Sequence, residues 1–270
     1  MNVIMCPTVL CFHRLSYLLS LTSTTMTSFQ DMNSKYPAMP FTEGMSILAY
    51  GRNPPVAFHP GSRRFPAPPT QDPLTIFKPM INLCSVPGAR WVRVDPNGGT
   101  NHAVLLYVDG AASNNGRPDV RAGCGVMVSP EPQHTGIEFP LERVPGQELT
   151  SNRAELRAAY GALGLRAWGG EGFETIVLAT DSEYMVKGAN EWIAIWKANG
   201  WKTSSNQDVK NKDLWLLLTN KIEEFERQGI AVQFYLMERR FNKADAAAKR
   251  AAATSEEVPT RIREIHLMSF

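Results

Sequence analysis

The fold class this chain predicts is α/β: a mixed five-stranded sheet, an antiparallel meander of three strands followed by parallel strands, flanked by helices. Three observations predict it. Short β-rich apolar runs recur at residues 103–109, 123–129, 136–143, 175–180 and 231–237, the first three separated by turn-rich loops. Helical spacing of apolar residues fills the intervals after the third run. Acidic residues stand at set places in that pattern: Asp109 in LLYVDGAAS and Asp181 in IVLATDSEYMVKG close apolar runs, whereas Glu155 in TSNRAELRAA and Asp245 in FNKADAAAKRAA lie on helix-forming stretches.

Asn97-Gly98-Gly99 leads into the first strand, residues 113–119 form a turn-rich loop, and strands at 123–129 and 136–143 complete a meander. A helix is expected over 152–168, where Leu156, Ala159, Leu163 and Ala167 form one apolar stripe; Asn152 to Glu155 offer a capping-box-like start and Gly169-Gly170 a stop. After the strand at 175–180 come short helices at 182–187 and 192–199. A longer helix at 211–228 carries Leu214, Leu217, Leu218, Ile222 and Phe225 at helical spacing. A strand at 231–237 and an alanine-rich helix at 243–253 end the folded part, and no internal repeat is present.

Four carboxylates gathered at one edge would repel one another and raise each other's pKa values unless divalent cations neutralised them. Hard oxygen ligands suit magnesium or manganese, and acids in this arrangement suit a nuclease.

Residues 1–100 differ in kind from the rest. They hold 13 of the 19 prolines, among them Pro54, Pro55, Pro60, Pro66, Pro68, Pro69, Pro73 and Pro79, so residues 53–87 read as mostly disordered linker. The expected organisation is a Pro-rich, largely disordered extension at 1–100, a catalytic domain at 101–255 and a polar tail at 256–270. The net charge of +2 divides into 8 Lys or Arg against 4 Asp or Glu in residues 1–100, and 20 against 22 beyond. Nucleic-acid contact by the second part must therefore rest on local clustering of positive charge. Cys6, Cys11, Cys84 and Cys124 show neither metal-ligand spacing nor disulfide density, which suits a reducing intracellular compartment, nucleus or mitochondrion being open. No segment is long enough to span a membrane. Residues 3–21 are apolar with Arg14 as the one formal charge; a targeting segment and a true start at Met26 or Met32 are alternative readings.

Residues 103–253 resemble the catalytic domain of cellular type 1 ribonuclease H. The most specific stretch is TDSEYMVKGANEWIAIWKANGWKTSSNQDVKNKDLW, which follows that family's order of Asp-Ser, Gly, Trp, Trp-Lys, Gly-Trp-Lys-Thr, Lys-Asn and Leu-Trp. The resemblance implies a ribonuclease H-like fold and endonucleolytic hydrolysis of the RNA strand of RNA/DNA hybrids. It also implies two Mg2+ ions, with Mn2+ able to substitute, held by Asp109, Glu155, Asp181 and Asp245 as catalytic carboxylates. The same match places Asn115, Ser151 and Asn152 against the RNA strand, where short polar side chains suit a 2′-hydroxyl that both donates and accepts. Thr150 and Asn211 match a pocket for one phosphate of the DNA strand, and Trp192 an aromatic against a deoxyribose. Lys197, Trp201, Lys202 and Lys210 fall in what resembles the family's basic protrusion.

There are departures. Ser151 replaces a more usual asparagine, and Glu148 stands where some members carry arginine. The loop before Asp245 is short and lacks the histidine many members have, no histidine lying between His134 and His266; Glu238, Arg239 and Asn242 are the candidates for part of its role. Activity with slower turnover is the expectation. Residues 1–100 match no hybrid-binding module, so processive action is not expected, and neither a protein partner nor an oligomer is evident. The alternative is a catalytically weakened hybrid-binding protein of the same fold. A proofreading-type exonuclease would want Asp-x-Glu, but Gly110 and Ala111 follow Asp109. Origin from a cellular gene or a retroelement is open.

Overall fold

A computed structural model describes residues 34–40, 62–82, 88–97, 101–114, 119–131, 136–254 and 258–265. Asn115, the first 33 residues, and Cys84 lie outside them, as does the targeting segment considered above. The strands are β1 (Lys78–Asn82), β2 (Gly88–Arg93), β3 (Ala103–Ser113), β4 (Arg121–Met127), β5 (Ile137–Pro140), β6 (Thr175–Thr180) and β7 (Ala231–Leu236). The helices are α1 (Pro73–Ile76), α2 (Ser151–Gly164), α3 (Glu183–Lys187), α4 (Ile193–Ala198), α5 (Lys212–Arg227) and α6 (Asp245–Ala253), with a π-helical turn at Gly188–Trp192 joining α3 to α4. Among the described residues no helix is long and apolar enough to cross a membrane.

The expected mixed sheet is present as β3 to β7. β3 pairs antiparallel with β4 and β4 with β5, while β6 runs parallel to β3 and β7 parallel to β6. The count is corrected, however: among the described residues the sheet has seven strands, because the hairpin of β1 and β2 joins it through Trp91, Val92 and Arg93 on the first residues of β3.

Alternation along β3 divides the interior in two. Val104, Leu106 and Val108 face the larger core, which includes α2 and α5, whereas Ala103, Leu105 and Tyr107 face a second cluster with Phe65, Phe77, Trp91, Tyr235 and Met237. The N-terminal segment therefore covers a face of the sheet, and the linker reading is corrected for residues 62–82. Prolines misled because they cannot donate to a ladder, but here they sit where donation is not needed. Pro73 opens α1 behind the Asp72 cap, whose side chain accepts from Leu74 N at 2.8 Å. Pro79 lies on the outer hairpin strand. The aromatics between the prolines supply the burial. Part of the polar tail contacts the domain: Arg143 N donates to Pro259 O and an Arg157 guanidinium N–H to Arg263 O, both at 2.8 Å.

α6 packs on the second face beside that segment, against β4. Its alanines match the glycines below: a Cβ on Gly123 would stand 2.2 Å from Ala252 N, and one on Gly125 2.5 Å from Ala244 O. On the first face, α2 carries a charge pattern its apolar stripe did not reveal. Arg153 and Arg157 are fully buried, Arg153 forking onto Asp213 at 2.8 and 2.6 Å and Arg157 onto Glu142 at 2.7 Å. The first of these ties the start of α2 to the start of α5.

Candidate active site

The four acidic residues arrive from four elements at the C-terminal edge of β3 and β6. Asp109 lies within β3, which runs on to Ser113, Glu155 one turn into α2, Asp181 directly after β6, and Asp245 at the first position of α6. Asp109, Glu155 and Asp181 line one cleft together with Ser151, Arg239 and Lys249.

Asp109 is only 4 % exposed. Burial, then the charges of Asp181, Glu155 and Asp245, push its carboxyl up to about 7, although Gly110 N–H donates to Oδ1 at 2.8 Å. Burial and Asp181 likewise raise Glu155 above the usual carboxylate range, opposed by the Ser182 hydroxyl, which donates to Oε2, and by Arg239. Asp181 accepts at Oδ1 from Asn242 Nδ2 at 2.7 Å. Asp245 is held below the ordinary range: burial works against this, but Lys249 and Arg239 prevail, each 2.7 Å from a different oxygen.

One oxygen each of Asp109, Glu155 and Asp181 is thus anchored by a protein donor, and among the described residues no hydrogen bond meets the other. Hard, oriented, partly desolvated anionic oxygens are the donor set that divalent magnesium or manganese prefers, and the like-charge repulsion that adds to burial in raising Asp109 is what such an ion relieves. The residues fit the ion. Among the described residues, however, no three side chains are grouped closely enough to ligate as they lie, and Asp245 has turned to its two cations.

Two expected outcomes follow from this geometry. A folded carboxyl raised from 3.8 to about 7 binds its proton more tightly than the unfolded chain does, so stability is lost as pH climbs through that interval. In EDTA, Asp109→Asn should therefore raise the thermal midpoint at pH 8 and do so less at pH 5; an equal effect at both would count against it. Gly110 is the second point. A Cβ there would stand 2.2 Å from Glu155 N and 2.5 Å from Ala154 C, so Gly110→Ala must push α2 off β3. A cost of about 1–3 kcal/mol should show in denaturant unfolding, and an unchanged midpoint would contradict the packing.

The residues expected to meet nucleic acid flank the cleft unevenly. Ser151 lines it, Asn152 is exposed on the first turn of α2, and Thr150 caps that helix, accepting from Arg153 N at 3.2 Å. Asn211 precedes α5 in left-handed conformation, φ 57°, with no side-chain bond to the helix. Trp192 is half-buried between Tyr184 and Trp196, ring centroids 5.8 and 5.6 Å away, and Trp196 reaches Trp201 and Trp215 at 6.2 and 5.5 Å. The lysines are less bare than their run suggests: Lys197 pairs with Glu223, and Lys202 with Asp208 at 2.7 Å. Trp201 is half-buried and Lys210 exposed.

Sequence reasoning passed over Ser182 and Lys249. Ser182 was visible as the cap of α3, where it accepts from Met185 N; Lys249 follows Asp245 by one helical turn. Of the three loop candidates the structure sets Asn242 on Asp181, Arg239 on Asp245, and Glu238 on Arg240.

An α/β sheet carrying four acids at one strand edge defines a class of protein; comparison with known proteins defines the family. The family described as RNase H matches residues 101–252. Ribonuclease H1 of Mus musculus is 35% identical over 156 residues, 57% of this chain and 52% of that one. Ribonuclease H of Pseudomonas entomophila (strain L48) is 37% identical over 151 residues, 55% of this chain and 92% of that one. The solved structure of LC9-RNase H1, a type 1 RNase H with the type 2 active-site motif, is 29% identical with a TM-score of 0.40, covering 56% of this chain and 72% of that one. The chain belongs to the ribonuclease H family. It spans about half the length of the mammalian relatives it matches.

Proposed function

We propose that this chain is an endoribonuclease that hydrolyses the RNA strand of RNA/DNA hybrids, leaving 5′-phosphate and 3′-hydroxyl ends. The observation that carries the reading is the gathering of Asp109, Glu155 and Asp181 round one cleft with Asp245 beside them, the most buried of the four driven towards neutrality by its burial and then by the charges of the others. These four carboxylates would hold two Mg2+, or Mn2+ in their place. Bound there, the ions supply a water nucleophile at neutral pH and charge stabilisation for the leaving 3′ oxygen.

The chain itself orients the ligands. Gly110 N–H, Ser182 Oγ and Asn242 Nδ2 each tether one oxygen of Asp109, Glu155 and Asp181, which limits the reorganisation the site must make. Ser151 and Asn152, at the cleft edge, take the RNA strand's 2′-hydroxyls, and Asn115 joins them; Thr150, Asn211 and Trp192 take the DNA strand. Lys197, Trp201, Lys202 and Lys210 extend the contact to phosphates beyond the cleft. The reading needs one chain per hybrid.

A second reading, a hybrid-binding protein with weakened turnover, is favoured by one observation: Arg239 and Lys249 both occupy Asp245. The experiment that separates the two is analysis of product ends from a hybrid labelled in its RNA. Internal cuts bearing 3′-hydroxyls open to polymerase extension support the nuclease, whereas bound, intact RNA in both magnesium and manganese supports the second reading.

A further inference from the structure

The proline-rich segment ahead of α1 runs along β7 and meets the loop that follows it. Arg64 bridges Phe234 of β7 in parallel, Phe65 N–H donating to Phe234 O at 2.9 Å and Phe234 N–H to Arg63 O at 2.6 Å. Arg63 forks onto Glu226 of α5 at 2.8 and 2.7 Å, and the Phe65 ring stacks on Tyr235 with centroids 5.1 Å apart. Further along, Tyr235 O–H donates to Gln71 O at 2.7 Å. Between these anchors Pro69 O accepts from Glu238 N at 2.9 Å.

Glu238 opens the short loop between β7 and α6, and that loop holds two of the four acids. Its Arg239 pairs with Asp245, and its Asn242 donates to Asp181 Oδ1 at 2.7 Å and to Val108 O at 3.2 Å while accepting from Ala244 N at 3.1 Å. Pro68 and Pro69 have fixed φ, so the acceptor that meets Glu238 is set before the contact forms.

We infer that residues 63–72 are a positioning element of the active site: through the Pro69–Glu238 hydrogen bond they hold the loop from which Asn242 sets the Asp181 carboxylate. The inference rests on the nuclease reading for its kinetic readout.

Glu238 has φ −65° and ψ 141°, a conformation proline adopts, so Glu238→Pro removes the donor N–H without a forced backbone change. Glu238→Ala keeps the N–H and loses only the side chain's pairing with Arg240. With the full chain, magnesium and a labelled hybrid, kcat of E238P should fall about three- to tenfold below that of E238A, the worth of one hydrogen bond. KM for the hybrid should stay within about twofold, because the loop orders the acids and does not widen the binding surface. Amides at 239–245 should exchange hydrogen faster in E238P than in E238A. Equal kcat and equal exchange in the two variants would overturn the inference. Should E238P fail to unfold cooperatively, Tyr235→Phe decides, since it frees Gln71 O without touching the loop: unchanged kcat and exchange there overturn it. A wild-type chain that leaves the hybrid uncut overturns the nuclease reading, and this inference with it.

Discussion

Asp181→Asn is expected to leave the hybrid bound and uncut, with kcat down by at least ~10³, the several kcal/mol that a cation-holding carboxylate contributes to the transition state. The substitution is close to isosteric, and the Asn242 donor can still meet the oxygen that replaces Oδ1. What disappears is charge. Asp181 is the foremost charged group raising Asp109, so its neutralisation lets Asp109 ionise more readily while removing one anion from the path of incoming phosphates. Affinity for the hybrid should therefore hold or tighten, measured by fluorescence anisotropy in calcium or EDTA. A tenfold or greater loss of affinity alongside the lost turnover would mean that Asp181 serves the architecture of the cleft and not its chemistry.

Phe65→Ala is expected to cost about 3–5 kcal/mol in denaturant unfolding, although Phe65 lies well outside the residues that match the family. It is 4 % exposed, stacks on Tyr235, meets Phe77 with centroids 5.5 Å apart and lies under Arg93. Beneath it are Leu105, Tyr107, Val177 and Ala179, all fully buried. A chain cut to begin at residue 101 uncovers the part of that face that α6 does not cover, and should bind a hydrophobic dye and lose cooperative unfolding. If instead the cut chain unfolds within about 3 °C of the full one, the segment is an ornament on a self-sufficient domain.

The acids and the strands that carry them were legible because both signals are local. Five apolar residues ending in Asp109, and a buried-type run ending at Thr180 before Asp181, state strand and site in one window. Glu155 was legible from a helix start, which falls one residue earlier than expected, at Ser151 behind the Thr150 cap. The N-terminal segment was not legible because proline density and disorder share a composition, and only the sheet face opposite Phe65, Phe77 and Trp91 distinguishes them. The burial of Arg153 and Arg157 was not legible for the converse reason: each is charged in sequence and buried in space, its partner, Asp213 or Glu142, lying 60 or 15 residues away. Asn242 could be nominated from the short loop but not ranked, since its contact with Asp181 spans 61 residues.

The most direct measurement is incubation of the purified chain and magnesium with a hybrid labelled in each strand, beside single-stranded RNA, duplex RNA and duplex DNA. Cleavage confined to the RNA strand of the hybrid, abolished by EDTA and by Asp181→Asn, is the result the four-carboxylate site predicts. Tight binding of the hybrid with both strands intact in magnesium and in manganese would contradict it.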